Sequence, residues 1–357
     1  MKTSASHSSI AGIQQIGIGV ASAPAAFAWY RRHFGFDVRI FEDVAEAVHM
    51  RKYTGGNVER RHAILALNMA GGGGLEIWQL VSRPPKASGT RIELGDCGIF
   101  AAKLKTIDVQ RAFDFMRSSG TVLSAEIASD PAGIAHFFVQ DPYGNIFEVA
   151  ESRTQFARTT HPVGGIAGVT IGVTDMDRSV AFYRDTLGYD RLLFDHCSAF
   201  PDFGPLPGGN SNVRWVRLAR TAPSEGPFSR LLGPAEIDLV QVRGRAPKRI
   251  YDGRCWGDLG FIHLCFDVRG MDFIHERSAR LGSPPTVDTA NSFDMGEASG
   301  RLSCVEDPDT TLIELVETHK VPILKKLGWS IDLRKRPPDR ALPDWILRGL
   351  AFNRVKD

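Results

Sequence analysis

The sequence predicts an α+β protein: four βαβββ modules paired into two similar domains, each a curved mixed sheet enclosing a cleft. Three observations predict it. The chain repeats itself at a nearly constant offset. Each repeat divides again into two stretches that run strand, helix, three strands. Glycine and proline punctuate short apolar runs throughout, 36 and 20 of them, as tight turns between many short strands require. At 357 residues the chain is too long for one ordinary core and suits two domains.

The repeat is read directly. IQQIGIGV near the start matches IAGVTIGV, and FAWYRRHFGFD matches AFYRDTLGYD; Tyr30 and Tyr183 are 153 residues apart, as are Gly35 and Gly188. LEIWQLVSRPPK matches IDLVQVRGRAPK at an offset of 162, aligning Glu76 with Asp238, Gln79 with Gln241, Arg83 with Arg245 and Lys86 with Lys248. GDCGIFA matches GDLGFIH at the same offset, and QDPYGNIFEVAE matches EDPDTTLIELVE at 166, aligning Asp141 with Asp307 and Glu148 with Glu314. Small loop insertions account for the differences. The chain is a tandem duplication with halves at 10–155 and 163–318, followed by a basic strap or helix at 319–357.

Within each half the elements follow in order. Phe27, Tyr30 and Phe34 have helical spacing and stop at Gly35, a helix C-terminal signal; residues 177–187 do the same and stop at Gly188. Asp108 leads into a second helix, and Asp267 leads past Gly270 into a fourth. Asp-Pro turns at 141–142 and 307–308 precede the last strand of each half. A single curved sheet cannot bury both faces, so modules must pair.

Composition excludes several classes. A net charge of +2 points to neither nucleic acid nor an anionic membrane surface. Five cysteines without close pairs read as reduced thiols rather than a disulfide framework. The start of the sequence does not read as a signal peptide, and no run has the length of a membrane span, so a cytoplasmic protein is expected. A small-molecule substrate is the expected partner, and a homodimer is compatible with the strap.

The phrases FY…LGYD, DPYGNIFEV and DPDTTLIELVE, with the four-module plan, resemble the vicinal oxygen chelate superfamily of glyoxalases, bleomycin resistance proteins and extradiol dioxygenases over residues 10–318. The resemblance implies metal ligands on the first and last strands of modules. Carried over position by position, the first half offers Gln15, Glu76, Ala101 and Glu148; the second offers Gly168, Asp238, His263 and Glu314. Each half has one gap. The second set reads as the stronger, with His263, Glu314 and Asp238 as metal ligands and Glu314 or Asp238 as catalytic groups. One imidazole with two carboxylates suits a divalent Fe, Mn, Co, Ni or Zn ion. The first half reads as a degenerate site, with Gln15, Glu76 and Glu148 as further candidates, and His196 is a candidate to replace the side chain missing at Gly168.

The residues support a ligand role independently. Alternation places His263 on one strand face with Phe261 and Cys265, and Glu314 with Leu312 and Val316. A carboxylate among apolar neighbours is costly unless a cation or donors compensate it. The competing reading pairs Glu314 with Arg214 or Arg217 and leaves His263 a core histidine. The Pro-, Gly- and Phe-rich segment 196–213 and segment 289–300 are expected to wall a cleft. Asp96 and Asp258 are expected as turn residues.

The functional expectation is a metal-dependent isomerase or lyase acting on a small oxygen-rich, aromatic or apolar molecule. The alternatives are an extradiol-type ring-cleaving dioxygenase, against which Gly168 argues, and a metal-free binding protein.

Overall fold

A computed structural model describes residues 8–290, 293–295, 298–324 and 329–356. The first module comprises β1 (Ser9–Gly19), α1 (Ala23–Phe34), β2 (Val38–Glu46), β3 (Arg60–Leu67) and β4 (Gly74–Leu80). The second comprises β5 (Gly98–Thr106), α2 (Val109–Ser118), the two-residue β6 (Ala128–Ser129), β7 (Ala135–Gln140) and β8 (Ile146–Glu151). The third comprises β9 (Ile166–Gly172), α3 (Met176–Leu187), β10 (Arg191–Ser198), β11 (Val213–Ala219), the single-turn α4 (Ser229–Leu232) and β12 (Glu236–Val242). The fourth comprises β13 (Gly260–Arg269), α5 (Met271–Arg280), β14 (Val287–Asp288), β15 (Phe293–Met295), β16 (Ala298–Glu306) and β17 (Leu312–Leu324). β18 (Trp329–Asp332) and α6 (Asp344–Gly349) follow.

The helices are capped as chemistry requires, and the predicted Asp108, Gly35 and Gly188 are among the caps. Ser22, Asp108 and Asp175 cap α1, α2 and α3 through their side-chain oxygens, and Gly35 and Gly188 close α1 and α3 in the left-handed conformation at φ of 70° and 71°. The Asp-Pro turns close on Asp141 and Asp307. Each carboxylate accepts two backbone N–H bonds from its own turn at 2.8–2.9 Å, plus a tyrosine hydroxyl from α1 or α3: Tyr30 at 2.6 Å and Tyr183 at 2.9 Å.

The sheets do not follow chain order. A ten-stranded sheet runs β14-β16-β17-β13-β1-β4-β3-β2, with β15 on β16 and β18 on β17; an eight-stranded sheet runs β10-β11-β12-β9-β5-β8-β7-β6. The first module therefore pairs with the fourth through β1 and β13, and the second with the third through β5 and β9, both antiparallel. The α+β class with two curved mixed sheets is as expected. The clefts, however, are built across the halves rather than within them.

A central core, including Ile16, Ile77, Phe147, Val169, Phe266 and Leu315, lies between the helices and both sheets. The opposite faces carry two smaller apolar clusters, one per sheet. A bulge corrects one detail of strand alternation: β1 pairs Gly17 with His263 but Ile18 with Phe261. Phe261 thus joins the central core, and Ile262 turns to the cleft beside Trp256 and Leu312.

β17 continues past residue 318 to pair with β18. The chain beyond packs Leu333, Leu342 and Leu347 against Val38, Leu67 and Met69. Segment 289–300 lies partly outside the described residues. Among the described residues no helix is long and apolar enough to cross a membrane.

Candidate metal centre

In the ten-stranded sheet, Gly17 on β1 stands between Glu76 on β4 and His263 on β13, its register partners on either side. Two residues along, Gln15 pairs with Cys265, which pairs with Glu314 on β17, which pairs with Cys304 on β16. Four polar side chains thus occupy two adjacent rows of one sheet face, separated by glycine and cysteine. Neighbouring strands lie about 4.8 Å apart, so side chains flanking a glycine can lean over it and meet.

They do meet. His263 Nε2 lies 3.1 Å from Glu76 Oε2 and 3.8 Å from Glu314 Oε2, and Gln15 Nε2 donates to Glu76 Oε2 at 3.1 Å. One ligand atom from each of Glu76, His263 and Glu314 lies within 4.8 Å of the other two, and all three residues are buried. A Cβ on Gly17 would come within 2.4 Å of the imidazole Cε1, so only glycine leaves the ring this place.

The pocket holds two buried carboxylates against a single close cationic group, His263. Among the described residues neither Glu76 nor Glu314 forms an ion pair with arginine or lysine; His263 is their shared partner. Burial alone would raise Glu76, but the hydrogen bond and charge of His263 outweigh it and hold the carboxyl below its usual range. Glu314 goes the other way: burial, opposed by His263 and reinforced by the charge of Glu76, lifts it to about 7. Burial would lower His263, yet Glu314 and Glu76 together hold its pKa above the usual value. His263 Nδ1 and Gln15 Oε1 are buried without a partner, and His263 Nε2 meets only the two carboxylates. Two buried carboxylates beside an imidazole and an amide oxygen without full partners are what a divalent cation satisfies, so these residues fit a metal. Trp78, Trp256, Met50, Ile262, Leu302 and Leu312 form an apolar cluster on this face, with Trp256 stacked over His263 at 6.4 Å.

Asp238 is corrected. It lies on β12 of the other sheet, away from His263, and receives Trp215 Nε1 at 2.8 Å, Arg217 Nε at 2.7 Å and the Lys103 ammonium at 2.7 Å. Glu148 belongs to the same network: Lys103 at 3.5 Å, Arg217 at 3.9 Å and His136 Nδ1 at 3.0 Å. At the position equivalent to the metal set, the second sheet therefore holds the protein's own cations between its two carboxylates. Its other two equivalent positions are Ala101, packed in the apolar cluster, and Gly168. Phe203 from segment 196–213 fills this second cleft against Phe138 and Trp215, while Phe200 packs at its margin.

His196 is also corrected: it stands exposed on edge strand β10, opposite Trp215, and cannot replace a ligand in the ten-stranded sheet. Gln15 and Glu76, which sequence reading placed in a degenerate first-half site, instead join His263 and Glu314. Arg217 and Arg214, the competing partners for Glu314, are engaged elsewhere, Arg214 by Asp195 and Asp177. Lys103 and His136 were missed as members of the second network; the alternation A101-A-K103 carried the signal for Lys103.

The comparisons with known proteins agree with this architecture. The family model described as Glyoxalase/Bleomycin resistance protein/Dioxygenase superfamily matches residues 12–149 and 165–315. Glyoxalase I from Zea mays superposes with a TM-score of 0.52 at 15% identity, over 87% of this chain and 93% of that one. A putative dioxygenase from Bacillus subtilis gives 0.53 at 13% identity, over 87% and 86%. At such identities the likeness is one of fold. Among curated proteins no sequence match is found.

Proposed function

Because the chain belongs to the Glyoxalase/Bleomycin resistance protein/Dioxygenase superfamily, we propose that it is a metal-dependent isomerase or lyase acting on a small oxygen-rich molecule. Its centre is Gln15, Glu76, His263 and Glu314. The observation that carries this reading is the convergence of buried Glu76, His263 and Glu314, with Gln15 beside them, from two modules far apart in sequence, with no lysine or arginine among the described residues paired to either carboxylate.

Gln15, Glu76, His263 and Glu314 would hold the ion, the two carboxylates matching the charge of a divalent cation in a buried cleft. A bound Mn, Fe, Co, Ni or Zn ion would supply Lewis acidity toward two adjacent substrate oxygens. Glu76 is tied to His263 at 3.1 Å and to Gln15; Glu314, at 3.8 Å, is the less constrained carboxylate and takes the substrate proton. Trp78, Trp256, Ile262 and Leu312 exclude water from the reacting atoms and receive an apolar part of the substrate.

The test is metal analysis of protein equilibrated with each candidate ion and dialysed. The wild type should retain about one ion per chain, and His263→Ala and Glu76→Gln far less. Equal metal in wild type and His263→Ala would eliminate the centre, and metal in neither would favour a binding protein. The second reading, a ring-cleaving dioxygenase, draws on the aromatic wall of Trp78 and Trp256. Oxygen uptake with a catechol after anaerobic Fe(II) loading would select it over the isomerase.

A further inference from the structure

We propose that the eight-stranded sheet carries a second ligand site, distinct from the metal centre: an anion-binding cavity served by Lys105, Arg220 and Tyr189, suited to a carboxylate or a phosphate monoester. The cavity measures about 510 Å³ and is bounded by the ends of β5 and β8, the starts of β10 and β12 and the chain around residues 220–235. None of Gln15, Glu76, His263 and Glu314 lines it.

Lys103 and Lys105 alternate onto the same face of β5. Lys103 is consumed by Asp238, Glu236 and Glu148. Lys105 is 5% exposed, and its ammonium makes no ion pair or hydrogen bond among the described residues. Burial, with nothing opposing it, brings its amine down to about 8. A buried ammonium without a counter-ion is costly. A purely structural lysine would turn its head to solvent and bury only its stem, whereas Lys105 lines both this cavity and a smaller one of about 110 Å³ beside it.

The surroundings extend the argument. Arg220 is likewise under-compensated: burial lowers it, with only partial relief from Tyr189, Glu225 and Asp190, and its Nε has no hydrogen-bond partner. Its Nη1 donates to the Ile10 carbonyl at 2.8 Å, which fixes the guanidinium. The Tyr189 hydroxyl faces the charges of Arg220 and Glu236 and makes no hydrogen bond among the described residues. Around the cavity Lys103, Lys105, Arg191 and Arg220 stand against two carboxylates, Glu151 and Glu236, and Glu236 is already held by Lys103 at 3.3 Å and Arg217 at 3.5 Å. The unspent charge is positive. A carboxylate or phosphate would supply the missing counter-charge and accept from donors the fold leaves idle.

The experiment is calorimetric titration of the full chain with inorganic phosphate and, separately, with succinate, for wild type, Lys105→Met and Arg220→Gln. One of the two probes should bind the wild type at a single site, and each substitution should weaken it at least about tenfold, the loss of one charge-assisted contact. Binding of phosphate alone identifies a phosphate monoester as the ligand class; binding of succinate alone identifies a carboxylate. Metal content should be the same in all three proteins, so a failed metal centre does not bear on this site. Should Lys105→Met fail to fold, acetic anhydride labelling of the wild type replaces it, with Lys105 protected by the bound probe and not by chloride. No binding of either probe, equal affinity in Lys105→Met, or equal labelling with and without probe would overturn the proposal.

Discussion

At the metal centre the residue without a side chain does the positioning. Glu76 and His263 are both register partners of Gly17, and they reach each other because nothing stands between them. Gly17→Ala would place a methyl 2.4 Å from the imidazole. The ring must rotate away, and retained metal should fall at least about tenfold, with far-UV circular dichroism unchanged. Full metal retention in that variant would show that His263 is not held as described. At the second sheet, His136 sits between Glu148 at 3.0 Å and Asp202 at 3.1 Å; burial lowers it, but both carboxylates outweigh burial and lift it to about 9. A pKa raised above its unfolded value of 6.5 gives stability that is complete below about pH 6.5 and is lost as pH rises through about 9. The contribution is about 3 kcal/mol. Lys105 acts with opposite sign between about pH 8 and 10.5, so the raw profile mixes the two above pH 8. The difference between wild type and His136→Gln in urea unfolding isolates His136. It should shrink steadily from pH 6.5 to pH 9, and a flat difference would contradict the assignment.

At the scale of elements, much was legible because it depends on local chemistry. Gly35 and Gly188 end helices, Asp108 begins one, and Asp141 and Asp307 close turns through bonds to their own neighbours. What was not legible depends on partners from other elements. The Phe261 bulge exists because β1 and β13 drift out of register, and alternation along β13 alone cannot show it. Asp238 read as a ligand because it stands where Glu76 stands in the repeat; its actual partners, Lys103 and Arg217, lie on β5 and β11. The two sheets thus solve one problem in two ways. Both bury a pair of carboxylates on equivalent strands, and the second neutralises them with a lysine and an arginine. Lys103→Met should therefore be costly, about 3–5 kcal/mol in urea unfolding, because Asp238 and Glu148 lose a buried counter-ion. A cost under about 1 kcal/mol would mean that Arg217 and His136 suffice.

At the scale of the whole molecule, the pairing of modules decides which residues form the site. Read within each half, the ligand positions leave one gap apiece, at Ala101 and at Gly168. Both gaps belong to the inner modules, and pairing the outer modules gives a set with none, Gln15, Glu76, His263 and Glu314. That signal was present in the sequence, but the repeat alone favours neither pairing. The interface carries its own signature. Arg83 and the Lys86 amide bind Asp258 at 2.6 and 2.8 Å, while Arg245 and the Lys248 amide bind Asp96 at 2.6 and 3.0 Å, so each half clasps the turn of the other. Those four basic residues were aligned by the repeat, and the two aspartates read only as turn residues. Since every sheet draws strands from both halves, neither half can unfold while the other keeps its sheet. Urea unfolding should therefore show one transition, coincident by tryptophan fluorescence and far-UV circular dichroism. Asp258→Asn should move that single transition to lower urea by about 1–3 kcal/mol, because the Arg83 guanidinium loses its charged acceptor in a buried clasp. Two separated transitions in the wild type, or an Asp258→Asn variant that loosens one half alone, would mean that the halves fold as independent bodies and that the β1–β13 junction does not hold the metal set together.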